Sequence, residues 1–393
     1  MESLASPPNT HYPTEPLVTA ENSRLRILHL ILVLGETNGQ YNEHCLPLMH
    51  ERELTICTYF APKLTPPTEI TLFAGDGSIR GFFRVFQAAL DAKAYDVIHV
   101  HAPQSGGLVL VALLMWRRFR RLRSSLVYTV QDSFYDYSLR NQVLTLVSLG
   151  GFNRIIFCSR AAYESIPLPW RRLVSAKARV VANAADIDRV DRAVQGLERG
   201  SARTGSSFLV AWVGRMEKVK DPGVVVSALA SVPDSDTRMV MVGAGQLESE
   251  VARQVASLGL ENRVELTGLI PRDEVFVRCA EADLFISASR GEGLPVAVIE
   301  AMATECPVVL SDIPPHRELR DGAEFIPLVP IGDIEGFARE IRRFQEMSHE
   351  ARAEIGRRSR EHVLARFSLP IMHAGTEAVY RERDPRVGVA IRP

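Results

Sequence analysis

Short apolar stretches alternate with helix-like stretches along almost the whole of this 393-residue chain. Strands that are buried on both faces give such near-continuous apolar, β-branched runs, and the helices between them allow the strands to be parallel. The pattern therefore predicts an α/β fold built on parallel sheets. We expect strands at residues 26–34, 69–73, 97–101, 126–130, 154–158 and 179–182 and, further along, at 208–213, 238–242, 263–266, 284–288, 308–311 and 325–329.

A polar stretch at residues 186–207, which ends in glycine and serine, interrupts this alternation. Segments of that composition commonly connect domains, and a chain of this length is long enough to form two domains. We therefore expect two doubly wound, Rossmann-like domains at residues 24–188 and 207–366, joined by a linker at 189–206. Residues 1–23 are expected to be a disordered tail, and residues 367–393 a final helix with its own tail.

The overall composition excludes several classes of protein. A net charge of −1 argues against bulk nucleic-acid binding, and five cysteines without a C-x-x-C pair favour a reducing compartment over a disulfide framework or a zinc ribbon. The first residues do not resemble a signal peptide, and the longest apolar runs are too short to span a bilayer. We expect a cytoplasmic protein that is soluble or lies at the inner face of a membrane.

The first candidate motif follows the predicted strand 208–213 and contains Gly214, Arg215 and Lys220. Asp221 suits the N-cap of a helix, and Pro222 suits its first position. Arg215 and Lys220 would then lie beside a helix start, where cations and free backbone N–H groups suit a pyrophosphate. The alternative is that both are solvated surface charges, as most charged residues are.

The strongest motif follows the predicted strand 284–288 and runs from residue 290 to 307, with Glu292 on a loop and Glu300 on a helix. Gly293 allows close approach of the backbone to a ligand, and Pro295 would open a helix whose first N–H groups lack partners. Glu300 lies about 7.5 Å further along the helix axis. Two acids that flank an anion site suit a sugar–diphosphate–nucleoside, although two glutamates eight residues apart also arise by chance.

At these residues the chain resembles glycosyltransferase family 4, the retaining family with the GT-B fold of two Rossmann-like domains that face each other across a cleft. The resemblance covers about residues 24–381, and its most specific part is the E-x7-E motif from Glu292 to Glu300. It implies that the first domain binds the acceptor and the second the donor. It further implies that Arg215 and Lys220 neutralise the donor diphosphate, that Glu292 contacts the transferred sugar and that Glu300 contacts the ribose. The other donor-binding residues would be Gly214, Gly293, Leu294 and Pro295, with Gly268, Leu269 and Ile270 at the nucleobase.

In the first domain the resemblance points to three strand ends. Asn38-Gly39 resembles a Gly-Gly loop near the donor phosphates, and the segment 95–103 brings His101 toward the site. Many relatives have a histidine after the strand equivalent to 126–130, but this chain has Gln131 and Asp132. Gln131 can hydrogen-bond a sugar hydroxyl without protonating, so Asp132 or His101 would share the catalytic role.

Two smaller departures from the family pattern concern loops. Glu305 stands where a small residue is usual, and Asn38 replaces a glycine. We expect both to alter loop detail and not the class of reaction. The final helix, at residues 367–380, resembles the segment that returns to the first domain.

The resulting prediction is a glycosyltransferase that moves a sugar from a nucleotide-diphosphate sugar to a hydroxyl of a glycan, a lipid-linked sugar or a small molecule, with retention of configuration. No D-x-D motif lies at a suitable strand end, so we expect no metal and no other cofactor, with protein cations at the diphosphate instead. Two alternatives stay open. One is a nucleotide-sugar epimerase on the same fold, and the other is a non-catalytic nucleotide-sugar-binding module, which only Gln131 favours.

A basic segment after the apolar run 106–116 raises the question of a membrane. Its arginines can lie on anionic lipid, and the family resemblance implies that the acceptor is often lipid-linked. The alternative is a solvated helix end, where the helix dipole favours cations. The residues are Arg117, Arg118, Arg120, Arg121 and Arg123.

Overall fold

The computed structural model describes residues 24–116, 124–197, 207–233 and 236–382. The tail expected at residues 1–23 and the basic segment 117–123 lie outside them. The chain divides into two compact units, of which unit 1 is Met1–Ala182 with Pro370–Pro393 and unit 2 is Asn183–Leu369. Both sheets are parallel throughout and flanked by helices in sequence, so the predicted α/β fold with two Rossmann-like units is confirmed.

Unit 1 holds a seven-stranded sheet in the order β3-β2-β1-β4-β5-β6-β7. Its strands are β1 (Arg26–Ile31), β2 (Glu53–Thr58), β3 (Ile70–Phe73), β4 (Val97–Val100), β5 (Ser125–Val130), β6 (Arg154–Phe157) and β7 (Ala178–Val180). Its helices are α1 (Gly39–His44), α2 (Ile79–Ala92), α3 (Pro103–Met115), α4 (Leu139–Gly151), α5 (Arg160–Glu164) and α6 (Leu168–Val174), together with the C-terminal helix. The order of strands reverses between β1 and β4, which is the position where such sheets bind ligands.

Among the described residues of unit 1, strand β2 is the one strand that the hydrophobic pattern did not predict. It contains two threonines among its apolar residues, and Thr55 and Thr58 are fully buried although they are polar. The threonines break the apolar run in the sequence, while their β-branched shape still suits a pleated strand. The prediction failed because buried threonines resemble an exposed face.

Unit 2 holds a six-stranded sheet in the order β10-β9-β8-β11-β12-β13, which is the Rossmann strand order. Its strands are β8 (Leu209–Val213), β9 (Arg238–Val242), β10 (Val264–Gly268), β11 (Leu284–Ser287), β12 (Val308–Ser311) and β13 (Leu328–Val329). Its helices are α7 (Ile187–Ala193), α8 (Pro222–Ala230), α9 (Glu248–Ser257), α10 (Arg272–Glu281), α11 (Val296–Ala303), α12 (Pro314–Arg320), α13 (Ile334–Glu346) and α14 (His349–Arg366). The order reverses between β8 and β11, the two strands that precede the candidate motifs.

The start of the predicted linker 189–206 is wrong. Helix α7 runs to Ala193, is capped by the Asp186 side chain and buries Val190. Asp191 also accepts a hydrogen bond at 2.8 Å from Arg360 of the same unit. The polar residues at 187–193 therefore belong to a short helix, and residues 198–206 lie outside the described part.

The last helix, α15 (Leu369–Arg381), belongs to unit 1 from Pro370 onward. Its Glu377 forms an ion pair with Arg52, and Glu382, just after the helix, pairs with Arg179 at 2.7 Å. Unit 1 is therefore completed by a segment that follows the whole of unit 2. No helix among the described residues has the length and apolar character needed to cross a membrane.

Candidate functional site

The two candidate motifs of unit 2 lie at the reversal of its strand order. Gly214 and Lys220 follow β8, and Glu292 follows the neighbouring strand β11. Parallel strands end at the same edge of a sheet, so residues that are 72 positions apart in the sequence meet there. This edge is where doubly wound sheets bind their ligands.

Glu292 is buried and paired. Its Oε1 accepts hydrogen bonds from Lys220 Nζ and, at 2.7 Å, from Ser289 Oγ. Only 9% of the Glu292 side chain is exposed, so the carboxylate is not an ordinary loop acid. A buried carboxylate with a cation and a hydroxyl on one oxygen is held in a fixed orientation.

A second pair of contacts joins the same two loops. The Arg290 N–H donates to Val219 O at 2.8 Å, and Arg290 Nε lies 2.6 Å from Asp221 Oδ2. Asp221 occupies the N-cap position of α8, but its side chain makes no capping hydrogen bond and its φ is +48°. The predicted capping role of Asp221 is therefore wrong, because its carboxylate pairs with Arg290 instead.

The loops after β8 and β9 approach each other closely at glycine. A Cβ on Gly243 would lie 1.9 Å from the carbonyl oxygen of Gly214, and the φ of Gly243 is +131°. Neither the space nor the backbone conformation admits another residue. Nearby, Arg215 is exposed and pairs with Glu217 at 2.9 Å, so the structure places it in solvent at the rim of this edge.

The glycine-rich loop after β11 leads into α11. Gly293, Leu294 and Pro295 are buried, and Asn183 Nδ2 donates to Leu294 O at 3.2 Å. The helix begins at Val296, so Pro295 takes the N-cap position and not the first helical position that we predicted. The difference is small, because the unpaired N–H groups of the first turn still face the same end of the helix.

Glu300 lies inside α11 and pairs with a residue that the sequence analysis did not identify. Arg272 donates through Nε, at 3.1 Å, and through Nη2 to Oε1 of Glu300. Both side chains are only 10–11% exposed. Glu300 is therefore not a solvated helix residue, and Arg272 belongs to the candidate site.

The predicted nucleobase rim lies at the end of β10. Gly268 has a φ of +67° and open space where a Cβ would be, and its carbonyl accepts from the Gly243 N–H at 2.9 Å. Leu269 is 73% exposed, and Ile270 is partly exposed. An exposed leucine beside a glycine presents an apolar surface that a planar base could cover.

Behind Glu292, a chain of buried polar groups leads to His316 on α12. Ser311 Oγ donates to Ser289 O, and His316 Nδ1 lies 2.8 Å from Ser311 O and 3.1 Å from its Oγ. Burial lowers the pKa of His316 to about 4, and the nearby Glu292 carboxylate opposes that shift. The imidazole is therefore neutral at pH 7, and it supports the loop that carries Glu292.

The turn after α11 contains a strained residue. Glu305 has a φ of +65°, in the left-handed region that favours glycine. A Cβ on Gly356 of α14 would lie 1.9 Å from the carbonyl oxygen of Glu305, so this turn and α14 touch through their backbones. The unusual residue noted in the sequence thus occupies a backbone position suited to glycine.

In unit 1, the predicted residues follow β1, β4 and β5. Asn38 caps α1, because its Oδ1 accepts from the Tyr41 N–H at 2.8 Å, and Gly39 is the first residue of that helix. A capping side chain at this position explains why asparagine replaces the glycine of the family pattern. Asn38 and Gly39 are both partly exposed.

Gln131 and Asp132 are partly exposed and follow β5 directly. The Asp132 N–H donates to the Tyr137 hydroxyl at 3.2 Å, and the Gln131 carbonyl accepts from Cys158 Sγ at 3.3 Å. His101 is different, because it is buried and its Nε2 lies 3.0 Å from His29 Nδ1. Of the three residues predicted to help at the reacting carbon, Gln131 and Asp132 are thus partly exposed, whereas His101 is buried.

Comparison with known proteins finds glycosyltransferases among those similar to this chain. Residues 197–362 match the family described as "Glycosyl transferases group 1". The matched region covers most of unit 2. The chain is 24% identical over 299 residues to a putative glycosyltransferase, EpsD, of Bacillus subtilis, covering 73% of this chain and 76% of that one. It is 23% identical over 317 residues to the UDP-Gal:alpha-D-GlcNAc-diphosphoundecaprenol alpha-1,3-galactosyltransferase of Escherichia coli, covering 75% and 76%.

Solved structures share the fold. Anabaena HepE in complex with UDP and glucose has a TM-score of 0.71 at 20% identity, over 91% of this chain and 99% of that one. The sucrose-phosphate synthase of Thermosynechococcus elongatus has a TM-score of 0.73 at 20% identity, over 91% and 98%. The shared fold is the GT-B fold. The matched family model and the relatives in sequence support glycosyltransferase activity.

Proposed function

We propose that the chain transfers a sugar from a nucleotide-diphosphate sugar to an acceptor hydroxyl with retention of configuration and without a catalytic metal ion. The observation that carries the proposal is the ion pair between the partly buried Lys220 and the buried Glu292 at the strand-order reversal of unit 2. Glu292 would hold the hydroxyls of the transferred sugar. Lys220, beside it, would hold the diphosphate that leaves.

The reaction breaks the bond between the anomeric carbon and the β-phosphate oxygen. Negative charge builds on that oxygen, and Lys220, Arg215 and the first N–H groups of α11 would stabilise it. The acceptor oxygen would then bond to the anomeric carbon on the same face, and its proton would pass to the departing phosphate oxygen. Retention rests on the family resemblance, and the protein cations support catalysis without a metal.

The remaining donor contacts follow from the rest of the site. Arg272 occupies Oε1 of Glu300, which leaves Oε2 to accept the ribose hydroxyls. The backbone of Gly268, Leu269 and Ile270 would line the base. In unit 1, Gly39 would approach the phosphates and Gln131, Asp132 or His101 the acceptor.

We further propose that the acceptor is lipid-linked and that the chain makes peripheral contact with an anionic membrane surface. Exposed apolar residues of unit 1 support this proposal. Leu139, Val143 and Val147 recur every four residues on α4 and are all exposed, and Arg140 lies beside them. Exposed apolar side chains beside a cation suit the interface of a bilayer. The acceptor of the Escherichia coli relative is a diphosphoundecaprenol, which is consistent with this placement.

Donor binding and turnover test the central proposal. A thermal-shift screen of UDP-, GDP- and ADP-sugars should give one class that raises the Tm, since a ligand of the folded state stabilises it by mass action. Adding acceptor should then release the nucleoside diphosphate. Conversion of the donor without acceptor would indicate an epimerase, and binding without either reaction would indicate a binding module.

Membrane contact is tested separately by co-sedimentation with phosphatidylglycerol and phosphatidylcholine vesicles. The wild type should sediment with the anionic vesicles, and a variant with Leu139→Ser and Val143→Ser should remain in the supernatant. The matched control is Leu258→Ser, an exposed leucine in unit 2. Equal sedimentation of all three proteins would contradict the proposed surface.

A further inference from the structure

A cluster of imidazoles lies buried in unit 1, and the sheet register explains how it forms. His29 on β1 and His99 on β4 are direct partners in the parallel pairing of these two strands. His101 lies two residues after His99, on the same side of the chain, because side chains alternate along an extended segment. All three side chains are at most 5% exposed.

The three rings bring their nitrogen atoms together. His29 Nδ1 lies 3.0 Å from His101 Nε2, and each of His29, His99 and His101 offers one ring nitrogen within 4.8 Å of the others. His101 Nδ1 is buried and has no hydrogen-bond partner among the described residues. With an ion on His101 Nε2, Nδ1 would be the second nitrogen of the ligand ring, where a buried polar atom without a protein partner is usually matched by a water molecule.

We propose that His29, His99 and His101 bind a divalent transition-metal ion of the zinc class. Nitrogen ligands about 2.0–2.1 Å from a tetrahedral zinc ion lie about 3.3 Å from each other, which is close to the observed spacing of His29 and His101. Small rotations of the rings would bring the third nitrogen to the same distance. The inference does not depend on the proposed transfer reaction.

The protonation state and the surroundings of the rings suit this role. All three rings are buried, and burial disfavours the charged imidazolium, so the neutral form that binds metals is favoured. The two nitrogens of His99 lie 2.6 Å from Thr129 Oγ1 and from the Tyr380 hydroxyl. A metal on one of these nitrogens would leave the other held by its partner, as ligand histidines usually are.

Three neutral ligands leave a fourth position for a water molecule or for His44, whose ring centroid lies 5.3 Å from that of His101. A zinc-bound water loses a proton near neutral pH, and that would reduce the charge of a buried centre. The ion would tie β1 to β4 and, through Tyr380, to α15. His101 would then be a metal ligand, which leaves Gln131 and Asp132 as the acceptor-side candidates.

Metal content tests the proposal without any assay of sugar transfer. The full chain is stripped with a chelator, incubated with Zn²⁺, dialysed and analysed for zinc by mass spectrometry. We expect one zinc per chain in the wild type and in His50→Ala, an exposed histidine outside the cluster, and none in His101→Gln or His29→Asn. Zinc should also raise the Tm of the first two proteins only.

Cobalt substitution covers the case in which the variants fail to fold. Co²⁺ added to the stripped wild type should give the visible d–d bands of tetrahedral nitrogen coordination, and Zn²⁺ should abolish them. Wild type without retained zinc, or without zinc-sensitive cobalt bands, would overturn the proposal. Equal zinc in the wild type and in folded His101→Gln would overturn it as well.

Discussion

Lys220 and Glu292 come from loops after neighbouring strands, and the lysine ammonium group donates to the same carboxylate oxygen as Ser289. Because this pair places one acid and one cation side by side, each can act on a different part of the donor. We expect Glu292→Ala to lower kcat by about 100-fold or more, while the Kd for the nucleoside diphosphate changes little.

Initial rates and calorimetric titration with the nucleoside diphosphate measure the two effects separately. Glu261→Ala, an exposed acid of the same unit, is the control and should leave both unchanged. If kcat and diphosphate affinity fell by the same factor, Glu292 would not be the residue that contacts the transferred sugar.

Removal of the cation should affect both rate and stability. We expect Lys220→Ala to lower kcat about 100- to 1000-fold, because a preorganised charge at the leaving group is lost. It should also cost about 2 kcal/mol of unfolding free energy, because Glu292 is left buried without its cation.

The double variant Lys220→Ala/Glu292→Gln separates these effects. Glutamine keeps the size of the side chain without its charge, so stability should recover while kcat stays low. Denaturant unfolding and steady-state rates of the wild type, Lys220→Ala, Glu292→Gln and the double variant give the coupling energy. Additive losses of stability would show that the two side chains are not energetically coupled.

The strained turn at Glu305 predicts a stabilising substitution. Glu305→Gly should raise the unfolding free energy by about 1 kcal/mol, because glycine adopts a φ of +65° without strain. Glu305→Ala keeps the strain and removes only the carboxylate, so it should resemble the wild type. Gly356→Ala should lower the Tm, because its Cβ would collide with the Glu305 carbonyl. A lower Tm for Glu305→Gly than for Glu305→Ala would contradict the argument.

The buried His316 predicts a loss of stability in acid. Its pKa is about 4 in the folded chain and about 6.5 when unfolded, so the unfolded state binds the proton more readily. The stabilisation is fully present above about pH 6.5 and declines as the pH falls toward 4. The total change is about 3 kcal/mol.

The difference in Tm between wild type and His316→Gln, followed from pH 7.5 to about pH 4.5, isolates this contribution. Other buried histidines, such as His44 with a pKa lowered to about 3, act equally in both proteins. The variant should lose less stability in acid than the wild type does. Parallel curves for the two proteins would rule out a neutral buried His316.

The sequence predicted the parallel sheets and the edge at which the site lies, because hydrophobic runs and strand-end glycines are local signals. It did not predict the partners of the key residues. Arg272 is 28 positions from Glu300, and Ser311 reaches Ser289 through the sheet. Such contacts depend on which strands become neighbours, and no local pattern carries that information.

The cluster of buried histidines could not be predicted from the sequence for the same reason. His99 and His101 two residues apart are an ordinary strand pattern, and His29 is distant in the sequence. Only the register of β1 against β4 brings the three rings together. In the same way, Asp221 is a residue type that often caps a helix, but its carboxylate pairs with Arg290 because the neighbouring loop places Arg290 beside it.

The return of α15 to unit 1 has a consequence for how the chain is made. During synthesis, all of unit 2 leaves the ribosome before Glu377 and Tyr380, so Arg52 and His99 wait for their partners while the second unit can already fold. Unit 1 therefore begins to be synthesised before unit 2 but obtains its last helix only after unit 2 has been made. Truncation before residue 370 should leave the later-made unit intact and expose the earlier one to proteolysis.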